Sequence, residues 1–488
     1  MQTKATQGTL AGIWSGLTTS NRGILSMTPN RPAITHRPLE AFFARESSAP
    51  LAQAFSGQRP VHPFVGLTPV DPSEVPSLWR QLAETPLGHP AVAYVHVPYC
   101  ANHCLFCGFY QHAWREKDGA AYVDALIAQL QPEHDRPDQS GCAIRAVYFG
   151  GGTPTLLSAA DLARAIEAVR EQLPLAADCE ITIEGRVHGF GLEKARAAFA
   201  AGANRLSLGV QTFDERLRQR LGRKATRAEL LQALEELIAL DQGAIVIDLI
   251  FGLPEQDAAI WADDLRTAIA LGLDGVDLYA LKPMRNTPLG HAIAAGKLQP
   301  AAPEQLGAFY QQGAELLDAA RWEPLSSSHW RQGTRERNLY NLLVKAGADC
   351  LAIGAGAGGS VHGGARAYSF RNTADVEDYR RRRPPGGPGI YGVVRQSPHA
   401  QLFNRIKGEL ERGHLDLAGL DADLQAQANR ELAPLTDPLF AQWQRAGLVM
   451  RDGRWLDLTL AGRFWQVPLT QNLLEWLDQC LRETPHDP

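Results

Sequence analysis

Between residues 92 and 281 the chain passes through six short apolar, β-branched stretches, at 92–97, 144–149, 180–183, 205–210, 244–250 and 276–281. Each is followed within about 10–15 residues by an Ala-, Leu-, Glu- and Arg-rich pattern of helical period. This alternation is the tightest constraint on the fold. Strands that are apolar throughout are covered on both faces, and strand–helix–strand connections lay successive strands parallel. The chain therefore reads as α/β, with at least six βα units. A (β/α) barrel of the TIM type, incomplete at about six units, is the economical architecture.

Two segments flank the repeat, which occupies residues 89–382. Residues 1–88 are rich in Pro, Ser and Thr and show little sustained period, so an irregular extension that wraps or caps the main body is expected. A Pro/Gly-rich stretch at 383–392 then breaks the chain. The short amphipathic helices beyond it end in AGLVMRDGRWLDLTLAG, where Arg451, Asp452 and Gly453 form a turn between two apolar runs. That hairpin resembles the wing of a small winged-helix domain, expected over residues 398–488. Its composition is not notably basic, so a lid or packing role is expected in place of DNA reading.

The 488 residues, 45% hydrophobic and 21% charged, suffice for a large core and more than one domain. A formal net charge of −5 offers no basic field for nucleic acid or an anionic membrane, and neither is an expected partner. The basic run at 380–383 reads as a solvated loop. No window approaches about 18 consecutive apolar residues, and the polar start MQTKATQGTL lacks the apolar core of a signal peptide. A cytoplasmic location, with reduced thiols, is the expectation.

Three of the seven cysteines crowd into YVHVPYCANHCLFCGFYQ, directly after the first strand. Cys142, Cys179, Cys350 and Cys480 are scattered among apolar neighbours and read as small core residues. Cys100, Cys104 and Cys107, spaced C-x3-C-x2-C, lie too close for a useful disulfide scaffold but suit thiolates wrapped around one polynuclear cluster. Three thiolates on a four-iron cube leave one iron for an exogenous ligand, and Leu105, Phe106, Phe109 and Tyr110 would shield it. The alternative is a Cys3His zinc site using His103 or His112, although structural zinc usually takes paired C-x2-C knuckles.

In barrels of this kind chemistry sits in the loops at the C-terminal ends of the strands. The cysteine loop follows the first strand and GGGTPT (150–155) the second. Glu184 ends the third, Gln211 ends the fourth, Asp248 lies in the fifth, and Tyr279 and Ala280 end the sixth. Six successive strands thus bring polar or glycine-rich ends to one mouth. The triple glycine lets a ligand approach the backbone closely. It is not a phosphate loop, since no Gly-Lys-Ser/Thr follows, and GAGAGGS (354–360) has the wrong glycine spacing for a dinucleotide fingerprint. Glu184 is suited to a cationic amino group or a sugar hydroxyl and Asp248 to ribose hydroxyls; for each, a buried carboxylate paired with Arg is the alternative.

Together, C-x3-C-x2-C, GGGTPT, the Glu after strand three, RLSLGVQTF…LGR and IDLIFGLP resemble radical S-adenosylmethionine (SAM) enzymes of the coproporphyrinogen dehydrogenase-like class, over about residues 91–370. The resemblance implies that Cys100, Cys104 and Cys107 hold a [4Fe–4S] cluster whose open iron is chelated by a first SAM. It implies contacts from Tyr94, Gly152 and Glu184 to that SAM. Phe106, Gly108, Thr153, Gln211, Arg223, Asp248 and Ala280 match positions that bind a second SAM, with Arg223 where the family places its carboxylate-binding arginine.

Within the class, CLFCGFYQ, HPFVGLTPV, SSSHW and TRERNLYNLLVKAGADCLAIGAGAGG look most like the anaerobic haem-degrading methyltransferases, the anaerobilin synthases. The coproporphyrinogen dehydrogenases carry a further cysteine where this chain has Phe109. The implied reaction takes hydrogen from the methyl group of the second SAM and adds the resulting radical to a porphyrin meso carbon. The ring then opens and iron is freed. Haem is the implied substrate, a flavodoxin or ferredoxin the implied electron donor, and an anaerobilin reductase an implied downstream partner. A coproporphyrinogen dehydrogenase and a non-enzymatic haem chaperone of the same fold are the rival readings. For a haem contact, His329 in SSSHW is preferred to His362 and His96, because its polar neighbours look unlike a barrel strand.

Overall fold

The computed structural model describes residues 36–57, 67–88, 90–134, 143–363, 366–381 and 390–482. All six expected strands form: β1 Ala91–Val97, β2 Ile144–Gly151, β3 Leu175–Gly185, β4 Arg205–Gln211, β5 Ala244–Phe251 and β6 Gly275–Ala280. They are parallel and adjacent in chain order. β1 is buried at every residue, as a strand covered on both faces must be. Helices α1 Gly119–His134, α2 Ala159–Gln172, α3 Leu192–Ala201, α4 Arg227–Ile238 and α5 Ala258–Ala270 provide the crossovers, with a sixth, α6 Pro303–Ala319, after β6. Side-chain caps fix several helix starts. Ser158 accepts from the Asp161 N–H, and Thr226 with Glu229 forms a reciprocal capping box.

The sheet is wider than the repeat implies. SSSHW contributes a short strand, β7 His329–Arg331, antiparallel to β6. A seventh parallel strand, β8 Asp349–Ile353, pairs with β1 on its other side. Beyond it run β9 Gly358–Gly363, β10 Arg366–Asn372 and β11 Ile390–Arg395, all antiparallel. Thr68–Pro69 adds to β11, so one sheet draws on residues from both sides of 89–382. Its thirteen strands have distinct end strands, the arrangement of an open barrel.

The polar character of SSSHW misleads about β7. This short strand lies between β6 and the end strand Glu323–Pro324, and His329 on it meets buried charges, where a polar residue serves as well as an apolar one. Part of the basic run at 380–383, Cys142, residues 62–66 of HPFVGLTPV and most of the Pro/Gly stretch lie outside the described residues. Cys179, Cys350 and Cys480 are buried, as expected.

The hairpin near the C-terminus is Val449–Asp452 paired with Trp455–Leu458, joined through Gly453 at φ 52°. With His414–Asp416 it makes a three-stranded sheet beside helices Ala400–Arg412, Leu417–Ala428 and Leu432–Arg445, a winged-helix order of elements. A strap at residues 36–57 ties this unit to the barrel. The Phe42 carbonyl accepts from Asn472 at 2.9 Å, the Gln442 side chain brackets Ala44 (2.9 and 2.6 Å), and Leu51 packs on Gly307 of α6. A helix at Val75–Glu84, absent from the sequence expectation, packs Trp79 edge-on against Phe370 with ring centroids 4.7 Å apart.

Candidate functional site

The loop after β1 is cinched at its neck. Tyr99–Cys100 pairs with His112–Ala113, and the Trp114 N–H donates to the Cys100 carbonyl at 2.9 Å. Its far side is fixed to the segment beyond β4: the Leu105 N–H donates to the Leu221 carbonyl (3.4 Å) and the Asn102 amide to the Gly222 carbonyl (2.9 Å). The loop so held places Cys100, Cys104 and Cys107 on one cleft. None of the three is in a disulfide; two are buried and Cys107 is half-buried. The cleft opens to solvent at its mouth, with about 700 Å³ of empty space counted together with that solvent.

The thiols have hydrogen-bond donors of their own. The Phe109 N–H donates to Cys107 Sγ at 3.4 Å and the Thr153 hydroxyl to Cys100 Sγ at 3.7 Å; such bonds tune iron–sulfur clusters. Among the described residues no three His, Cys, Asp or Glu side chains gather closely enough for a single metal ion. His103 is occupied elsewhere, donating from Nε2 to the Cys107 carbonyl at 2.9 Å and stacking on Tyr110 at 4.6 Å. A Cys3His zinc centre through His103 therefore has no support. Three thiols spread around one cleft fit a polynuclear cluster, with Cys100, Cys104 and Cys107 as the residues that would hold it.

Phe106, Gly152, Glu184, Gln211, Arg223 and Asp248, all expected from the sequence, line the same cleft. Gln211 sits at a β-bulge between β4 and β5 with φ 71°. A non-glycine residue held there costs roughly 1–3 kcal/mol, and such strain gathers at functional positions. The bulge turns its amide over Gly209, where Arg223 also arrives: a methyl group on Gly209 would meet Gln211 Nε2 at 2.8 Å and Arg223 Nη2 at 3.4 Å. Gln211 Oε1 and Arg223 Nε are buried with no partner, so these two groups are prepared for a polar ligand. Burial lowers the Arg223 pKa, and the neighbouring Cys104 thiol counters it. Burial, then the Glu184 and Asp248 carboxylates, push Tyr148 well above the ordinary range, so it stays protonated in the cleft wall.

The glycines of GGGTPT answer to packing as well as to a ligand. A methyl on Gly150 would meet Glu184 Oε2 at 2.8 Å; Gly151 has φ +112° against the His96 ring; on Gly152 it would lie 2.2 Å from the Tyr99 carbonyl oxygen. Four expected residues do not line the cleft. Tyr94 lies one layer deeper, stacked on Tyr148 (6.4 Å) with its hydroxyl 3.0 Å from His96 Nδ1. Gly108 packs on Met284, Thr153 stands behind Cys100, and Ala280 ends β6 beside Phe251. Tyr148, Gly185, Arg186, Gly209 and Ile250 line the cleft without having been singled out. Stepping two residues inward from Gly150 and Gln211 finds Tyr148 and Gly209, and stepping two residues outward from Asp248 finds Ile250, because side chains two apart share a face.

The expectation for His329 is corrected. Its side chain has no exposed surface, with Nδ1 at 3.0 Å from Asp277 and Nε2 at 3.1 Å from Glu336, so neither nitrogen is left for iron. Arg205 Nε donates to Glu336 at 2.8 Å. Arg205 opens β4 and Asp277 is near the start of β6, which puts this network at the opposite end of the strands from the cysteine loop. Burial alone would lower the His329 pKa; the two carboxylates outweigh it and hold it up to about 9. His362 pairs with Asp349 at the start of β8 (2.5 Å). His96 is kept neutral by burial, down to about 3, despite its contact with Gln111.

A family model, "Radical SAM superfamily", matches residues 94–268. The chain is 42% identical to "Anaerobilin synthase" of Escherichia coli O157:H7 over 440 residues, 89% of this chain and 96% of that protein. It is 33% identical to "Heme chaperone HemW" of Escherichia coli K12 over 275 residues, 56% of this chain and 70% of that one. Among solved structures, coproporphyrinogen III oxidase (HemN) from Escherichia coli, titled a radical SAM enzyme, superposes with a TM-score of 0.69 at 22% identity. The match covers 81% of this chain and 92% of that one, and shows a shared fold. The cysteine loop, the open parallel barrel and a similarity that covers 89% of the chain place it in the radical SAM superfamily, as a member of the anaerobilin synthase family.

Proposed function

We propose that the protein degrades haem without oxygen, as a radical SAM C-methyltransferase that uses two SAM molecules to methylate a porphyrin meso carbon, open the ring and release iron. The product is a linear tetrapyrrole. One observation carries the reading: three cysteines outside any disulfide share a cleft with a second set of polar groups, of which Gln211 and Arg223 present buried atoms without partners. The similarity to anaerobilin synthase along 96% of that protein supports it.

When bound, the cluster and SAM supply one-electron reduction and a 5′-deoxyadenosyl radical. The chain's own part is to hold and exclude. Glu184 and Gly152, at the ends of β3 and β2, are assigned to the amino group and backbone contacts of the first SAM. Arg223 is assigned to the carboxylate of the second, Gln211 to its polar atoms and Asp248 to its ribose hydroxyls. Phe106 lies within reach of Arg223, 6.0 Å from guanidinium to ring centre, and closes the cleft to water beside Cys104 and Cys107. Keeping water out protects a radical and strengthens each charged contact.

A flavodoxin- or ferredoxin-type protein supplies electrons, a reductase consumes the product, and the work is done in the cytoplasm; among the described residues no helix is long and apolar enough to cross a membrane. The reading is tested by incubating cluster-loaded protein, haem, SAM and reductant anaerobically. Loss of the haem absorbance with stoichiometric chelatable iron is the expected outcome. Haem recovered intact and passed to an apo-acceptor would establish the chaperone instead.

A further inference from the structure

The segment after β4, residues 214–224, reads DERLRQRLGRK and carries five basic side chains, Arg216, Arg218, Arg220, Arg223 and Lys224, against two acidic ones, Asp214 and Glu215. Such a density of positive charge is unusual in a chain whose net charge is −5. Two of the five are consumed by the fold. Arg218 is buried and donates to the carbonyls of Ala225, Val210 and Thr212, and Arg223 turns into the cleft. The other three face outward: Arg216 and Arg220 have side-chain exposures of 54% and 52%, and Lys224 is exposed. The opposing charge nearby is the exposed Glu215 and a single carboxylate, Glu255, that Arg216 and Arg220 share, while Asp214 caps its own helix by accepting from the Leu217 N–H; three outward cations thus face two outward carboxylates.

This rim is attached to the cysteine loop itself. The Gly222 and Leu221 carbonyls accept the Asn102 and Leu105 donors described above, and Arg186 adds a bond from Nη1 to Asn102 Oδ1 at 2.9 Å. Ala101 and His103, between the first two cysteines, are exposed, and Cys107 is the most exposed of the three. The outward face of the cluster loop and the basic rim therefore adjoin, with Ala101 and His103 exposed beside the rim.

We infer that this surface, formed by residues 101–107 with Arg216, Arg220 and Lys224, is the docking site of an acidic one-electron carrier protein. The inference rests on the proposed cluster and concerns where its reductant arrives. In each docking event one electron leaves the carrier, which is oxidised by one unit, and enters the cluster, which is reduced by one unit. Charge complementarity at such a rim acts mainly on the rate of encounter and is screened by salt.

The test uses the full chain with its cluster restored and reads 5′-deoxyadenosine formed from SAM, with and without haem. One set of assays is driven by a reduced, acidic flavodoxin and another by dithionite. Reversing the charges in Arg216→Glu/Arg220→Glu/Lys224→Glu is expected to lower the flavodoxin-driven rate by at least about tenfold at sub-saturating carrier and to leave the dithionite-driven rate unchanged. The conservative Arg216→Lys/Arg220→Lys pair should retain both rates. Added salt should slow the wild-type flavodoxin reaction more than that of the charge-reversed variant. Equal loss with both reductants would make the rim a structural element, and no loss with either would put docking elsewhere; each overturns the inference. SAM cleavage does not require haem to be the substrate, so failure of the haem reading appears separately, as intact haem with normal cleavage.

Discussion

His329 Nδ1 lies 3.0 Å from Asp277 Oδ1 while its Nε2 lies 3.1 Å from Glu336 Oε1, with all three side chains sealed beneath the barrel. The imidazole is a cation between two carboxylates, and Arg205 completes the charge balance through Glu336. Its pKa, raised from an ordinary 6.5 to about 9, means that the folded state holds the proton more tightly than the unfolded chain. That contribution is fully present below pH 6.5 and is lost as pH rises through 9. Denaturant unfolding should show wild-type stability declining across this window, and the part due to His329 should vanish in His329→Gln. The same variant should lose about 3 kcal/mol near neutral pH, because two buried carboxylates lose their partner. Haem affinity and iron content of the folded fraction should not change.

Gly152→Ala tests the close approach at the second strand. The added methyl would sit 2.2 Å from the Tyr99 carbonyl oxygen, and backbone cannot move aside there without moving Cys100, the next residue. A cost of about 1–3 kcal/mol is expected from the overpacking, with a clear drop in iron and sulfide per chain after reconstitution.

The cysteines should divide sharply. Ser at Cys100, Cys104 or Cys107 should abolish cluster absorbance and SAM cleavage. Ser at Cys179 or Cys350, both buried and with thiol pKa values pushed up to about 12 chiefly by burial, should leave cluster content intact and cost only stability. Iron analysis and 5′-deoxyadenosine assays decide this directly.

Arg223→Gln should separate the two SAM roles. Removing a buried guanidinium from a carboxylate ligand costs about 3 kcal/mol, roughly a hundredfold. Methyl transfer and ring opening should fall by that order, whereas 5′-deoxyadenosine formed by uncoupled cleavage should persist. Parallel loss of both products would place Arg223 at the first SAM.

The parallel core was legible because its strands are short, mostly apolar runs, each with a helix behind it, a pattern few other arrangements satisfy. The edge strands were not. Gly358–Gly363 and Arg366–Asn372 are rich in Gly, Ser and Arg, and strands of that composition are specified by the neighbour they pair with. The cleft was legible at its strand ends, where Glu184, Gln211 and Asp248 interrupt apolar runs. The Gly209–Gln211 bulge that turns the Gln211 amide toward Arg223 leaves no mark on spacing. His329 was misread because Asp277, its nearer carboxylate, lies on β6, far away in sequence and adjacent only in the folded sheet, so polarity alone suggested an exposed ligand where the fold has a buried ion network.

One carbon atom decides whether a second SAM gives up its methyl group to haem. Cluster-loaded protein, haem and reductant should be incubated anaerobically with SAM deuterated in its methyl group, and the products read by mass spectrometry. The prediction is a linear, iron-free tetrapyrrole bearing a label-derived carbon, together with 5′-deoxyadenosine that has gained deuterium. An unlabelled tetrapyrrole, or intact haem beside unlabelled 5′-deoxyadenosine, would contradict methyl transfer from a second SAM and with it the proposed function.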